Sequence, residues 1–356
     1  MRIRLLACSV IAAALGACGQ NDSLAPSPHP GDVLVEPDAA GDDVFAVGSA
    51  DPARVDVAAL HALVDAAAGY RSDGLIVAVD DTIVVERYFG APRGAHNIQS
   101  VTKSVDALAV GALVDAGRLR LDEPVGDFYA DWQSGDKAAV TLVDLMTHTS
   151  GLHDSDDGLS ARDALAFDRA LPLVHMPGTT FDYSNAGVQL LSGIIATAAG
   201  MDADEFVART YFQPMGIADW QWDKDLAGNV DTPGGLFLTP RELLRLGRLL
   251  RDGGAWNGQK LVSSDWVQKL GAPASAAAPC YGLLFWLERD GCAALRPPYG
   301  ETRAYYALGW GGQYIVIVPS ANLVAVRTRD PIAESQADEE ATFFAEFPDL
   351  VVALAR

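Results

Sequence analysis

What most constrains the fold of this 356-residue chain is where its two hydrophobic periodicities fall. Period-two, β-branched segments occur near the start, at 74–88 around the pair Asp80-Asp81, and return only near the end, at 281–288, 304–309, 312–318 and 322–328. Helical spacing appears at 55–68 and 100–116, and then governs the middle of the chain at 141–147, 161–170, 184–199, 203–211 and 240–252, joined by Gly/Pro/Asp loops. A last helix-like stretch covers 340–355. Strands at both ends with helices between them predict a discontinuous α/β domain, about 51–115 and 271–356, into which an all-helical part, about 116–270, is inserted. A site between the two parts is expected. With 49% hydrophobic residues the chain has enough apolar material for such a core.

The first fifty residues read differently. Arg2 and Arg4 precede an apolar run from Leu5 to Leu15, which is too short to span a bilayer and has the form of a secretory signal. The run ends in Leu15-Gly16-Ala17-Cys18, which resembles the lipobox of bacterial lipoproteins. Residues 1–17 are then the lipoprotein signal peptide, and Cys18 is the lipid-anchor candidate. Ordinary cleavage at a small-residue site uses the same Gly and Ala, and both readings export the protein to the bacterial cell envelope. Residues 18–50 mix Pro, Gly, Ser and acids with little periodicity, as a flexible tether does.

Without residues 1–17 the chain carries 24 basic against 47 acidic residues. Such a surface repels phosphate backbones, so nucleic acid is excluded as a partner, and contact with a membrane is expected through the lipid anchor only. Cys280 and Cys292 flank a strand-like stretch, and an exported compartment permits a disulfide across it; two reduced buried thiols are the alternative.

A serine hydroxyl becomes a nucleophile when a base lies within hydrogen-bond reach and a dipole favours its anion. Ser100-Val101-Thr102-Lys103 supplies such a pair, because positions i and i+3 of a helix share a face and the helix N-terminus presents its positive end. The pattern is weak alone. Only five lysines are present, yet Ser134-Gly135-Asp136-Lys137 matches it too, and a serine that opens a helix is commonly a plain N-cap. Context separates the two: Ser134 sits in a Gly/Asp loop, whereas Ser100 opens a long apolar helix. Tyr183-Ser184-Asn185 lies in a loop just before another helix, where a phenol can point into a cleft. In Ala307-Leu308-Gly309-Trp310-Gly311-Gly312-Gln313 the glycines let backbone N–H groups approach a substrate. His148 and His153 with Asp154, Asp156 and Asp157 are set aside as a metal cluster or catalytic triad, since neither His-Glu-x-x-His nor Gly-x-Ser-x-Gly is present. Trp220, Trp222, Trp286 and Trp310 either line an apolar acyl pocket or pack the core.

In order and spacing these segments resemble the serine β-lactamase and penicillin-binding-protein superfamily, in its branch of class C β-lactamases, bacterial carboxylesterases and 6-aminohexanoate-dimer hydrolase. Its motifs are Ser-x-x-Lys, Tyr-x-Asn and Lys-Thr-Gly. The run Leu145-Met146-Thr147-His148-Thr149-Ser150-Gly151-Leu152, the triplet Pro177-Gly178-Thr179 and the segment Thr239-Pro240-Arg241-Glu242-Leu243 look like the same branch. The resemblance spans roughly residues 55 to 350. It implies an α/β (α+β) β-lactamase-like fold, an antiparallel sheet flanked by helices with an inserted all-helical domain. It also implies a serine hydrolase acting on a small ester or amide substrate without cofactor or metal. By resemblance Ser100 is the nucleophile, Lys103 its proton partner, Tyr183 the proton relay to the leaving group, and Asn185 the amide that orients Lys103. The third motif departs from the pattern: if Gly309 aligns with its glycine, Ala307 and Leu308 stand where lysine and threonine belong. The backbone N–H groups of Ser100 and Trp310 then form the oxyanion hole, or a register one or two residues further on supplies the second donor. Gly309, Gly311, Gly312, Gln313 and Trp222 are the substrate-pocket candidates, and loss of the motif lysine argues against recognition of a β-lactam carboxylate.

Overall fold

The computed structural model describes residues 34–36, 39–292, 298–330 and 343–356. The signal segment and Cys18 lie outside the described residues. Among the described residues, early and late segments meet in one seven-stranded sheet built from β1 (Ala46–Val47), β2 (Gly74–Val79), β3 (Thr82–Arg87), β4 (Trp286–Glu288), β5 (Ala304–Gly309), β6 (Gln313–Val318) and β7 (Leu323–Thr328). Their order across the sheet is β1-β3-β2-β7-β6-β5-β4. The β2–β3 hairpin turns at Asp80-Asp81, with Asp80 at φ 53°. Five of the six pairings are antiparallel, but β1 runs parallel to β3, so the sheet is mixed rather than antiparallel throughout.

Strand alternation sorts the core into two layers. Ile76, Ala78, Val324 and Val326 face the helical side, while Leu75, Val77, Leu323 and Ala325 face helix α1 (Val57–Gly69) and the C-terminal helix Phe347–Val352. Because β2 and β7 are central and covered on both faces, all twelve of their residues are buried. On the other face lie α2 (Val101–Asp115), α3 (Asn185–Ala199) and α4 (Pro240–Arg251). Helix α4 starts at a capping box between Thr239 and Glu242 and buries five leucines. A Cβ on its Gly247 would lie 2.4 Å from Val324 and 3.0 Å from Ile315, so α4 rides directly on β6 and β7. This corrects the expected boundary: 240–252 belongs to the sheet's own layer, not to the helical insert.

Residues 39–50, expected as part of a solvated tether, are docked. Phe45 is buried, the Asp42 carboxylate accepts the N–H groups of Val44 and Phe45 and pairs with Arg245 at 2.8 Å, and β1 covers the edge of β3. The physical reason is the edge itself: an uncovered β3 would leave unpaired N–H and C=O groups, and the short strand occupies them. Cys280 and Cys292 are joined by a disulfide that brackets β4.

Candidate active site

The site begins where a short strand, His96–Asn97, turns into α2. Asn97 accepts the N–H of Gln99 through Oδ1 at 2.6 Å, and Gln99 takes φ 53° to make the corner. Ser100 then occupies the cap position but already has helical dihedrals, and its side chain makes no capping bond. The plain N-cap reading of Ser100 therefore does not describe it. Its Oγ instead accepts a hydrogen bond from Lys103 Nζ at 2.8 Å.

Lys103 is 1% exposed, so its charge must be satisfied internally. Nζ donates to three acceptors: Ser100 Oγ, Asn185 Oδ1 at 2.8 Å and the Pro233 carbonyl at 2.7 Å. Three acceptors match the three N–H bonds of an ammonium. Asn185 is delivered by the start of α3, whose cap Ser184 accepts the Gly187 N–H at 2.9 Å. The preceding Tyr183 places its ring centroid 5.1 Å from Nζ, between the rings of His148 at 4.2 Å and Trp286 at 6.2 Å. Ser100 and Lys103 are thus brought together with Tyr183 and Asn185 from two separate stretches of sequence, and Pro233 joins them from a third.

His148 is a wall of this site. Its Nδ1 accepts the Ser184 N–H at 3.2 Å, which leaves the proton on Nε2, directed at Tyr281 Oη 3.1 Å away. Burial, reinforced by the nearby Lys103 charge, holds the imidazole well below its ordinary range and hence neutral. Asp154 accepts the Ala186 N–H at 3.0 Å and lies near Ser184 Oγ, so it braces the start of α3. Among the described residues no three His, Cys, Asp or Glu side chains are grouped to hold a metal. The competing pair separates: Ser134 is exposed, and Lys137 donates to the Arg169 carbonyl and lies over Trp132.

The end of β5 touches the segment that leads into Ser100. A Cβ on Gly309 would sit 2.4 Å from the Ile98 carbonyl and 3.0 Å from Gln99, so only glycine lets the strand lie there. Trp310 follows directly, and among the described residues no acceptor engages the N–H of Trp310 or of Ser100. The other four pocket candidates have structural partners. Gly311 and Gly312, at φ 76° and 81°, form the β5–β6 turn, with both carbonyls held by Arg327. Gln313 is fully buried and hydrogen-bonds the backbone of Arg329 through both ends of its amide. Trp222 is also core, its indole N–H spent on the Asp231 carbonyl at 2.8 Å. These side chains are polar or large enough to suggest a pocket in sequence, but sheet ends need the same residue types for bracing.

Sequence reasoning missed Pro233, whose carbonyl completes the Lys103 cradle, and Asp106. The Asp106 carboxyl, one helical turn beyond Lys103, is completely buried with neither oxygen hydrogen-bonded. Burial pushes it well above the usual carboxylate range, with the Lys103 charge opposing. Beyond Asn185 and Pro233 a cleft of about 320 Å³ opens between the loops 155–168 and 223–233.

The Beta-lactamase family model matches residues 58–341. A 6-aminohexanoate-dimer hydrolase of Paenarthrobacter ureafaciens is 24% identical over 266 residues; the match takes in 67% of this chain and 64% of that relative, so it spans less than two thirds of the relative's length. The esterase EstB of Burkholderia gladioli is 32% identical over 148 residues, 34% of this chain and 37% of that protein. Among solved structures, a putative 6-aminohexanoate-dimer hydrolase from Bacillus anthracis superposes with a TM-score of 0.68 at 20% identity, covering 90% of this chain and 89% of that one. A putative beta-lactamase from Bacteroides dorei gives the same score, covering 82% and 98%. At these identities the superpositions show a shared fold.

Proposed function

The chain belongs to the beta-lactamase family; on that premise we propose that it is a hydrolase that cleaves neutral esters or amides through an acyl-enzyme on Ser100. The observation that carries this reading is the 2.8 Å contact between Lys103 Nζ and a Ser100 hydroxyl that does no capping. Ser100 Oγ attacks the carbonyl carbon and gives its proton to Nζ as Nζ passes one of its own by way of the Tyr183 hydroxyl to the departing alkoxide or amine, so that Lys103 ends the step as the ammonium it began. Among the described residues the N–H groups of Ser100 and Trp310 engage no acceptor, and they hold the oxyanion. Water then attacks the acyl-enzyme, returns its proton by the same route, and releases the acid and free Ser100.

Substrate charge follows from the third segment. Ala307 is buried in the core and Leu308 packs toward the opposite layer, so neither offers a donor to a carboxylate. Arg303, the nearest substitute in sequence, is engaged by Glu288 at 2.9 Å, Asp290 at 3.3 Å and Asp349 at 3.8 Å. Charge-assisted contacts of the missing kind contribute roughly 1.5–3 kcal/mol. The test is steady-state turnover of short p-nitrophenyl esters beside nitrocefin, with intact-mass detection of the Ser100 adduct. Ester turnover with little nitrocefin hydrolysis is expected. A higher kcat/KM for nitrocefin than for the best neutral ester replaces this reading with a β-lactamase one, and absence of any adduct with esters, β-lactams or a fluorophosphonate points to a silent scaffold.

We also propose export and lipid anchoring through Cys18. The sequence before residue 19 motivates it, and the Cys280–Cys292 disulfide supports an oxidising compartment. Detergent partition of the full-length protein should be lost in Cys18→Ser; a wild type that stays in the aqueous phase overturns the anchor.

A further inference from the structure

Tyr183 is the member of the site whose position needs most explaining. Among the described residues its hydroxyl makes no hydrogen bond, so its place beside Nζ is set by its ring and its backbone. One residue grips all three parts. The His148 carbonyl accepts the N–H of Asp182 at 2.9 Å, its Nδ1 accepts the N–H of Ser184 at 3.2 Å, and its imidazole lies 4.2 Å from the Tyr183 ring between them. His148 does this from φ 54°, a left-handed conformation unfavourable to a residue with a side chain and retained where its contacts demand it.

What aims the imidazole is Tyr281. With Nδ1 occupied as an acceptor, the neutral ring carries its proton on Nε2 and donates it to Tyr281 Oη at 3.1 Å. Both side chains are buried, and burial also pushes the Tyr281 phenol well above its ordinary range, so Oη stays a hydroxyl able to accept. Without that acceptor a buried N–H is left unpaired, and the imidazole must either turn or move its proton to Nδ1, where it confronts the Ser184 N–H.

Tyr281 is in turn tied to the nucleophile's own helix. Cys280, just before it, is bonded to Cys292. Leu284, just after it, donates its N–H to the Met146 carbonyl at 2.9 Å and accepts Ser104 Oγ on its own carbonyl at 2.7 Å. Ser104 follows Lys103 on α2. A closed frame therefore runs from α2 through Leu284, Tyr281 and His148 to the backbone on both sides of Tyr183.

We propose that Tyr281 is a positioning residue, which through its one bond to His148 fixes the tautomer and aim of that imidazole and thereby holds Tyr183 within reach of the Ser100–Lys103 pair. The inference rests on the hydrolase reading, in which the Tyr183 hydroxyl passes the proton.

The test is two double-mutant cycles on the full chain with a neutral p-nitrophenyl ester. Tyr281→Phe removes the hydroxyl and keeps the ring packed among His148, Phe181 and Trp286. It should lower kcat by about tenfold to a hundredfold, as a misplaced relay does, with KM within about threefold. Added to Tyr183→Phe, it should cost about threefold or less, because its effect passes through a hydroxyl already absent. His148→Asn keeps an acceptor for Ser184 and tolerates the left-handed backbone but is too short to reach Oη, so on that background too Tyr281→Phe should cost about threefold or less. A wild-type kcat in Tyr281→Phe, or an undiminished loss on either background, overturns the proposal. Where Tyr281→Phe does not fold, the ¹⁵N spectrum of wild-type His148 decides: a proton on Nε2 and a bare Nδ1 from about pH 5 to 8 support it, and the opposite tautomer overturns it. A wild type that turns over no ester defeats the hydrolase reading alone. The frame is then read from the ¹³Cζ resonance of Tyr183, which should move in Tyr281→Phe, and an unmoved resonance overturns it.

Discussion

Gly309→Ala tests the contact on which the proposed oxyanion hole depends. The added methyl would lie 2.4 Å from the Ile98 carbonyl oxygen, a backbone atom that cannot swing away, and 3.0 and 3.1 Å from the Cβ atoms of Gln99 and Gln313. To reach even 3.0 Å from that oxygen, the end of β5 must retreat by about 0.6 Å, which carries the Trp310 N–H away from Ser100. Removing an oxyanion donor typically costs about 10²–10³ in kcat, and misplacing one by this much should cost on the order of 10². Overpacking alone destabilises by roughly 1–3 kcal/mol, so a steric control is needed. Gly247→Ala provides it: its methyl would lie 2.4 Å from Val324 within the α4–sheet packing, far along the chain from the site. Both variants should melt earlier than wild type, but only Gly309→Ala should lose kcat on a neutral p-nitrophenyl ester and label slowly with a fluorophosphonate. A folded Gly309→Ala enzyme with kcat within about threefold of wild type refutes the reasoning.

The nucleophile is checked by mass labelling: Ser100→Ala should lose both adduct and turnover, while Ser134→Ala, an exposed loop position, should retain both. Tyr183→Phe removes one hydroxyl from a ring held between His148 and Trp286, so melting should change little while the rate falls by roughly 10²–10⁴; full activity with an unchanged pH profile removes Tyr183 from the mechanism. Asp168 gives a stability prediction. Burial pushes its carboxyl up to about 7, above the ordinary 3.8, so the folded chain holds the extra proton between these limits. Its contribution is therefore complete below about pH 4 and lost as pH rises through 7. Asp168→Asn should then melt about 2–4 °C above wild type at pH 8, with the difference narrowing as pH falls through 7 and closing only by about pH 4, and a lower melting temperature at pH 8 contradicts the unpartnered carboxyl oxygen.

Legibility in the sequence tracked how local the governing physics is. The β2–β3 hairpin, β5 to β7 and the start of α2 follow from alternation, turn residues and helical spacing within a few residues of each other. The Ser100–Lys103 pair was legible for the same reason, since i and i+3 meet on any helix. Tyr183 and Asn185 needed the family pattern, because nothing local says that the start of α3 faces the start of α2. The Pro233 carbonyl was invisible: every residue has one, and only the fold selects which points at Nζ. Residues 39–50 misled because their composition is that of a solvated strand of chain, whereas their docking is decided by a distant edge and by Arg245 on α4. Gln313 and Trp222 misled in the opposite way, being side chains suited to a ligand that the sheet ends use for bracing.

The charge state of the groups around Lys103 bears on why a serine is used this way. A buried lysine is commonly fixed by a carboxylate, and such a pair pins the proton on nitrogen. Here the carboxyl one turn away, Asp106, makes no bond to Nζ and is pushed well above the usual carboxylate range by complete burial, and burial holds His148 neutral. The groups hydrogen-bonded to Nζ are dipoles, a hydroxyl, an amide oxygen and a peptide carbonyl, and the Asp231 carboxyl that feels its charge makes no bond to it. Dipoles satisfy the ammonium's three N–H bonds without supplying a counter-charge. A proton can then leave Nζ toward a departing group without also breaking an ion pair in a dry site, where separating charges is most costly. Exchanging Asn185 for Asp would insert the missing counter-charge at 2.8 Å from Nζ, which should pin the proton and slow turnover even though hydrogen-bond geometry is kept.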